Sequence, residues 1–254
     1  MFNNIKYLIY SSHKTSTQTL MSIFKANNIK VNFLHNMSNI CVLYPKYDFH
    51  NDIGSGKRAG WGKYENIKSF KNLVLENFKE YNKVNNEKLS IISVRRNPKE
   101  RLFSSLFQIY HTDEISYHQK LETETTIYNL NVNEIYNLYC EEIINNSLPG
   151  VIESVDELSF IFDIDIINNL EKKDNYYYFE NNFIKLYVLE FKNTIDENNL
   201  EYLNTILNIN LTINSSGNLS CHKSYYDKYK TVKPMITDEI NNIIYERYNK
   251  FYFN

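Results

Sequence analysis

Tyr10-Ser11-Ser12-His13-Lys14-Thr15-Ser16-Thr17-Gln18-Thr19-Leu20 is the stretch on which the fold turns. It follows an apolar run (Ile5, Tyr7, Leu8, Ile9) and leads into an amphipathic one (Leu20, Ile23, Phe24). The pattern predicts a strand over 5–10, a short loop of small hydroxyl residues with one lysine, and a helix over 17–27. Such a loop offers backbone N–H groups, hydroxyls and a cation at the positive end of a helix dipole. Its natural guest is a phosphate or sulfate. Taken alone, the same residues also fit an ordinary N-capped helix carrying a surface lysine.

Working outward, Lys30 to Leu34 reads as a second strand, and 36–64 as a long loop. That loop holds Gly54, Gly56, Gly60 and Gly62, Lys57-Arg58 and the only tryptophan, Trp61. Phe70, Leu73, Val74 and Phe78 then recur at helical spacing. Leu89 to Val94 reads as a buried parallel strand. It runs into Arg95-Arg96-Asn97-Pro98, where Asn97 suits an N-cap and Pro98 a first helical residue. Residues 131–146 and 151–172 read as helical, interrupted by Leu148-Pro149-Gly150. Tyr176 to Phe179 and Ile184 to Phe191 read as late strands, and 196–208 and 237–250 as helices. Strands alternating with helices predict an α/β fold, a parallel central sheet with helices on its faces. The expected organisation is a single domain over 1–254, with a mostly helical insert over about 111–175.

Composition narrows the partners. Hydrophobic residues make up 43% and charged residues 23% of the chain, which is globular and not disordered. A net charge of −2 argues against a general nucleic-acid binder. The cations Arg95, Arg96, Lys99 and Arg101 are nonetheless concentrated enough for a focused anion site. Cys41, Cys140 and Cys221 are scattered and form no CxxC pair, so neither a zinc site nor a disulfide framework is expected. With no basic leader and no long apolar run, a cytoplasmic protein without a signal peptide or membrane span is expected.

Two motifs carry the chemistry. In Lys14-Thr15-Ser16-Thr17-Gln18-Thr19, the Lys14 ammonium can face an anion held by the following N–H groups, with Thr17 and Thr19 donating from their hydroxyls. This is not a Walker A loop, which needs G-x-x-x-x-G-K-[ST]. Gly54-Ser55-Gly56-Lys57 fails that pattern too, with Asn51 in place of the first glycine and Arg58 in place of Ser or Thr. The second motif is Val94-Arg95-Arg96-Asn97-Pro98-Lys99-Glu100-Arg101-Leu102-Phe103-Ser104-Ser105. An arginine at a strand's carboxyl end supplies a planar fork of donors, and a serine on the next helix one hydroxyl, enough to clamp a second phosphate. A merely solvated basic helix start is the alternative. Ligands of open α/β sheets bind outside the carboxyl ends of the strands, so both motifs can face one crevice.

Together the two motifs resemble the sulfotransferase superfamily, whose sulfuryl donor is 3′-phosphoadenosine 5′-phosphosulfate. The loop after the first strand resembles the family's 5′-phosphosulfate loop, a P-loop-like strand–loop–helix site. His13-Lys14-Thr15 looks like the carbohydrate sulfotransferases in particular. Arg96-Asn97-Pro98, Arg101 and Ser104 are similar to the family's 3′-phosphate motif, R-x-P-x-x-R-x-x-S. Leu186 to Phe191 resembles the late strand. Asn218, Lys223-Ser224-Tyr225, Tyr229, Ile244 to Tyr248 and Lys250-Phe251-Tyr252 resemble the tail of bacterial proteins of capsular polysaccharide synthesis. The resemblance implies that Lys14, Thr15, Ser16, Thr17, Gln18 and Thr19 bind the 5′-phosphosulfate. It implies that Arg96 and Ser104 bind the 3′-phosphate, and that Lys223 closes over the nucleotide. Many family loops have glycine where this chain has Ser16; if the position needs a positive φ, serine there weakens donor binding.

The activity so implied is transfer of a sulfuryl group to a hydroxyl or amine of a carbohydrate, with no metal. A non-catalytic nucleotide-binding relative acting in polysaccharide assembly is the alternative, and the missing Walker A pattern disfavours a P-loop kinase. Lys14 would stabilise the leaving oxygen. For the general base, His35 in Asn32-Phe33-Leu34-His35-Asn36 comes first, ahead of His50, His111 and Glu65. A structural histidine is the plain alternative. In the glycine-rich loop, Trp61 can stack on a sugar and Lys57 and Arg58 can meet an anionic glycan, or the loop is only surface.

Overall fold

The computed structural model describes residues 5–11, 17–34, 67–110, 127–145, 154–174, 176–191, 197–212 and 225–248. The chain divides into two compact units, with a boundary between Arg96 and Asn97.

The first unit is built on a six-stranded sheet. Its described elements are β1 (Tyr7–Tyr10), α1 (Thr17–Ala26), β2 (Val31–Leu34), α2 (Ile67–Asn85) and β3 (Leu89–Arg96). The second unit contributes α3 (Pro98–Ile109) and α4 (Val132–Asn145) before the chain returns. The first unit then continues with α5 (Ser154–Phe162), β4 (Glu171–Lys172), β5 (Tyr176–Glu180), β6 (Ile184–Phe191) and α6 (Glu197–Leu207). The second unit ends with α7 (Tyr226–Val232) and α8 (Asp238–Tyr248).

The strand order is β2-β1-β3-β6-β5-β4. β2, β1, β3 and β6 are mutually parallel, with Ile9 opposite Ile92 and Ile92 opposite Tyr187. Every residue of β1 is buried, as expected of a strand covered on both faces. Alternation sorts the side chains. Tyr7, Ile9, Ile92, Val94, Tyr187 and Leu189 form one core with Leu20, Ile23 and Phe24 of α1 and Leu200, Leu203 and Leu207 of α6. On the other face Ser93 Oγ meets Ser154 Oγ of α5 at 2.5 Å. α2 packs on α5, with the Phe78 and Phe162 rings 5.3 Å apart.

The edge departs from the parallel expectation. β5 and β6 pair antiparallel, with Glu180 opposite Lys185, and β4 adds to β5 in the same sense. So short a connection cannot carry a parallel crossover. Asn181 closes the hairpin: its Oδ1 accepts from the N–H groups of Phe183 and Ile184 at 2.8 and 3.0 Å.

With only 6 glycines, the chain ends its helices on other residues. Asn28, Asn86, Asp163 and Asn208 have φ of 58°, 52°, 54° and 49°, and they stand just beyond α1, α2, α5 and α6. Asparagine and aspartate tolerate this left-handed position better than other side chains, so they do the work of a C′ glycine. This corrects the helix expected over 151–172: it stops at Phe162, because Asp163 turns the backbone out of the helix. Two further asparagines staple the chain after α6. Asn204 Nδ2 donates to Leu211 O at 3.0 Å, and Asn204 Oδ1 accepts from Leu211 N at 2.5 Å. Asn27 does the same for Thr212.

The second unit is helical among the described residues. Asn97 caps α3 as expected, its Oδ1 accepting from Lys99 N at 3.0 Å, with Pro98 next. Asn131 caps α4 reciprocally: its Oδ1 accepts from Glu134 N at 3.0 Å, and the Glu134 carboxylate accepts from Asn131 N at 2.6 Å. The core gathers Leu102, Phe103, Leu106, Phe107, Tyr139, Tyr225 and Ile244 from α3, α4, the start of α7, and α8. Phe103 lies 5.1 Å from both Phe107 and Tyr139 and 4.8 Å from Tyr229. The Lys228 ammonium donates to the carbonyls of Ile127, Tyr128 and Leu130 at 3.0, 2.8 and 2.8 Å, which ties α7 to the turn before α4. α7 was not expected, although Tyr225, Tyr229 and Val232 fall on one helical face.

Several tyrosines are withdrawn from water. Burial, reinforced by Glu87, pushes the Tyr81 phenol up to about 12, and burial pushes Tyr225 to about 12. Burial with Glu142 raises Tyr110, and burial with Glu180 raises Tyr178. A raised phenol pKa favours the folded state below the unfolded value of about 10, and that contribution is lost as pH rises towards the folded value. In an alkaline titration followed by phenolate absorbance, these four of the 22 tyrosines should ionise only as the protein unfolds above about pH 10. Reversible ionisation of all tyrosines together, with the fold intact, would contradict this.

Candidate functional site

Among the described residues the sheet reverses its strand order at a defined place. β1 leads through α1 to β2 on one side, and the chain then returns past β1 to β3 on the other. The strand order therefore reverses between β1 and β3, and the carboxyl ends of these two strands flank the reversal. The described residues that lead to the two motifs lie there: Ser11 follows β1, and Arg96 ends β3.

Ser11 joins the two ends. β1 stops at Tyr10 while β3 continues to Arg96, so the backbone of Val94 has no strand residue of β1 opposite it. The Ser11 hydroxyl takes that role: Oγ accepts from Val94 N at 2.8 Å and donates to Val94 O at 3.1 Å. Ser11 is fully buried, so neither backbone group could turn to water instead. β3 runs two residues beyond the expected end at Val94, because Arg95 and Arg96 go on pairing with Glu190 and Phe191 of β6.

The paired arginines diverge. Arg95 is on the face of Ser93 and is held by Glu190 and the Tyr177 hydroxyl, which accepts from Nη2 at 2.9 Å. Its guanidinium also lies 4.3 Å from the Tyr177 ring centroid, a cation–π contact. Arg95 is therefore committed to the protein itself. Arg96 projects to the other face and is half-buried at the edge.

In the second unit, α3 carries a fully buried Arg101 and a half-buried Ser104. Thr19 is half-buried in the first turn of α1; Thr17 and Gln18 begin that helix, their side chains lying outside the described residues. His13, Lys14, Thr15, Ser16, His35, His50, Lys57, Arg58, Trp61, Glu65, His111 and Lys223 also lie outside the described residues. The tail residues Tyr225 and Ile244 are core residues of the helical unit.

Sequence reasoning missed Ser11 and Glu190. Ser11 stood in the quoted loop but differed in no visible way from Ser12. Glu190 was read only as part of a strand. Among the described residues no group of His, Cys, Asp and Glu is placed to hold a metal ion, and no helix is long and apolar enough to cross a membrane. Compared with protein-family models, with curated proteins and with solved structures, the chain finds no match.

Ser11→Ala leaves the buried N–H and C=O of Val94 without their hydroxyl partner. Its expected cost is about 1–3 kcal/mol of unfolding free energy, read from urea denaturation. A loss within about 0.3 kcal/mol would show that the bridge does not hold the two strand ends.

Proposed function

We propose that this chain is a carbohydrate sulfotransferase that uses 3′-phosphoadenosine 5′-phosphosulfate. The observation that supports this most is the meeting of the two motif-bearing strand ends, β1 and β3, at the reversal of strand order, joined by Ser11. A donor charged at its 5′ and 3′ positions needs two anion sites, and each motif offers one. The residue chemistry suits it. α1 begins just after the lysine-containing loop, and Arg96 stands half-buried at the end of β3.

In this reading Lys14, Thr15, Ser16, Thr17, Gln18 and Thr19 cradle the 5′ end, and Arg96 with Ser104 holds the 3′-phosphate. Lys223 closes over the nucleotide. The bound donor supplies an activated sulfuryl group. Lys14 presents its ammonium to the oxygen on which charge develops, a preorganised contact that strengthens as the bond to sulfur breaks. His35 takes the proton from the acceptor hydroxyl as its oxygen attacks. Trp61, Lys57 and Arg58 orient a glycan, with surface or capsular polysaccharide as the acceptor class.

Calorimetry with adenosine 3′,5′-bisphosphate tests the nucleotide half directly. Wild-type protein should bind it, and Arg96→Ala should weaken binding by about 1.5–3 kcal/mol, the range for a hydrogen bond to a charged group. Unchanged affinity in the variant would remove Arg96 from the site. Binding without sulfate transfer to any glycan supplied with the donor would favour the non-catalytic relative.

A further inference from the structure

The carboxyl end of β3 is tied across the sheet by an arginine that the two anion sites leave unused. Ser11 bridges β1 to Val94, and the next two residues, Arg95 and Arg96, pair with Glu190 and Phe191 of β6. The Arg95 guanidinium reaches past β6 to β5. Its Nη2 donates to Glu190 Oε1 and, at 2.9 Å, to the Tyr177 hydroxyl. That hydroxyl in turn donates to the same carboxylate oxygen at 3.4 Å. The guanidinium carbon also lies 4.3 Å from the Tyr177 ring centroid. One side chain thus links three neighbouring strands, β3, β6 and β5, at the residue before Arg96. The Arg95 side chain is 12% exposed, which limits screening at its end of the contact.

We propose that Glu190 and Tyr177 are positioning residues: by clamping Arg95 they fix the backbone from which Arg96 reaches the nucleotide's 3′-phosphate. This rests on the nucleotide reading given above. Pleat alternation puts Arg95, Glu190 and Tyr177 on one face of the sheet and Arg96 on the other. The clamp therefore acts on Arg96 through the strand and not through the ligand. The coupling is covalent, because Arg95 and Arg96 are joined by one planar peptide unit. An arginine held ready for an anion loses less conformational freedom on binding than one on a frayed strand end. The sign of the effect separates positioning from simple electrostatics. A carboxylate at the same end of the sheet repels an anion, so by charge alone its removal would strengthen binding of a phosphate. Loss of the clamp weakens binding instead. Tyr177→Phe removes two hydrogen bonds of the clamp and changes no charge.

The test is calorimetry with adenosine 3′,5′-bisphosphate on wild type, Glu190→Gln, Tyr177→Phe, Arg96→Ala and the Arg96→Ala/Glu190→Gln double variant. Glu190→Gln should bind about three- to tenfold more weakly than wild type, the cost of ordering one long side chain that is no longer held ready. Tyr177→Phe should weaken binding in the same direction and by less, because its ring still meets Arg95. In the Arg96→Ala background, Glu190→Gln should cost nothing further, since the side chain being positioned is gone. Thermal melts check that each variant is folded at the temperature of the titration, and Tyr177→Phe reads the clamp if the glutamine variant is not. Unchanged or tighter binding by the folded clamp variants would overturn the role of Glu190 and Tyr177 while leaving the nucleotide site standing. A loss of the same size with and without Arg96 would do the same. No binding by wild type would overturn the nucleotide reading itself, and this proposal with it.

Discussion

The first unit depends on one buried hydroxyl. β1 is short, ending at Tyr10, whereas β3 and β6 run on to Arg96 and Phe191. Where β1 runs out, Val94 would keep a buried N–H and C=O facing no strand. Ser11 Oγ serves both, as acceptor and donor, a dual capacity that among small side chains belongs to hydroxyls. The strand can therefore stop at Tyr10 without leaving a gap in the ladder.

The same solution recurs with asparagine. Asn204 and Asn27 each offer an amide that pairs with the backbone of Leu211 and Thr212, as a neighbouring strand would. Asn131, Asn97 and Asn181 cap helices or close a hairpin, and Asn28, Asn86 and Asn208 end helices in the left-handed region. An asparagine-rich, glycine-poor chain reads as low complexity by composition; here the asparagines just named stand at turn, cap and helix-end positions that suit their side chains.

Much of this was legible. The apolar runs at Tyr7–Tyr10 and Leu89–Val94, and the Asn97-Pro98 helix start, are local signals that tertiary context did not override. The edge hairpin, the end of α5 and α7 were less so. The spacing of Tyr176 and Ile184 favours a hairpin over a parallel crossover, a constraint of connection length and not of residue type. Asp163 ends α5 through a conformation that its residue type allows without demanding. In the quoted loop, serine content signalled an anion cradle, yet which serine bridges to β3 follows from strand lengths, a tertiary property. Arg95 and Arg96 look alike in sequence. Pleat alternation separates them, giving Arg95 to Glu190 and Tyr177 and leaving Arg96 on the opposite face.

The central claim is that one nucleotide engages both motifs at the β1 and β3 ends. Hydrogen–deuterium exchange with and without adenosine 3′,5′-bisphosphate tests it most directly. Slowed exchange confined mainly to peptides covering 10–20 and 94–104 is the expected result. Protection of only one of these segments, or of neither while the nucleotide binds elsewhere, would contradict it.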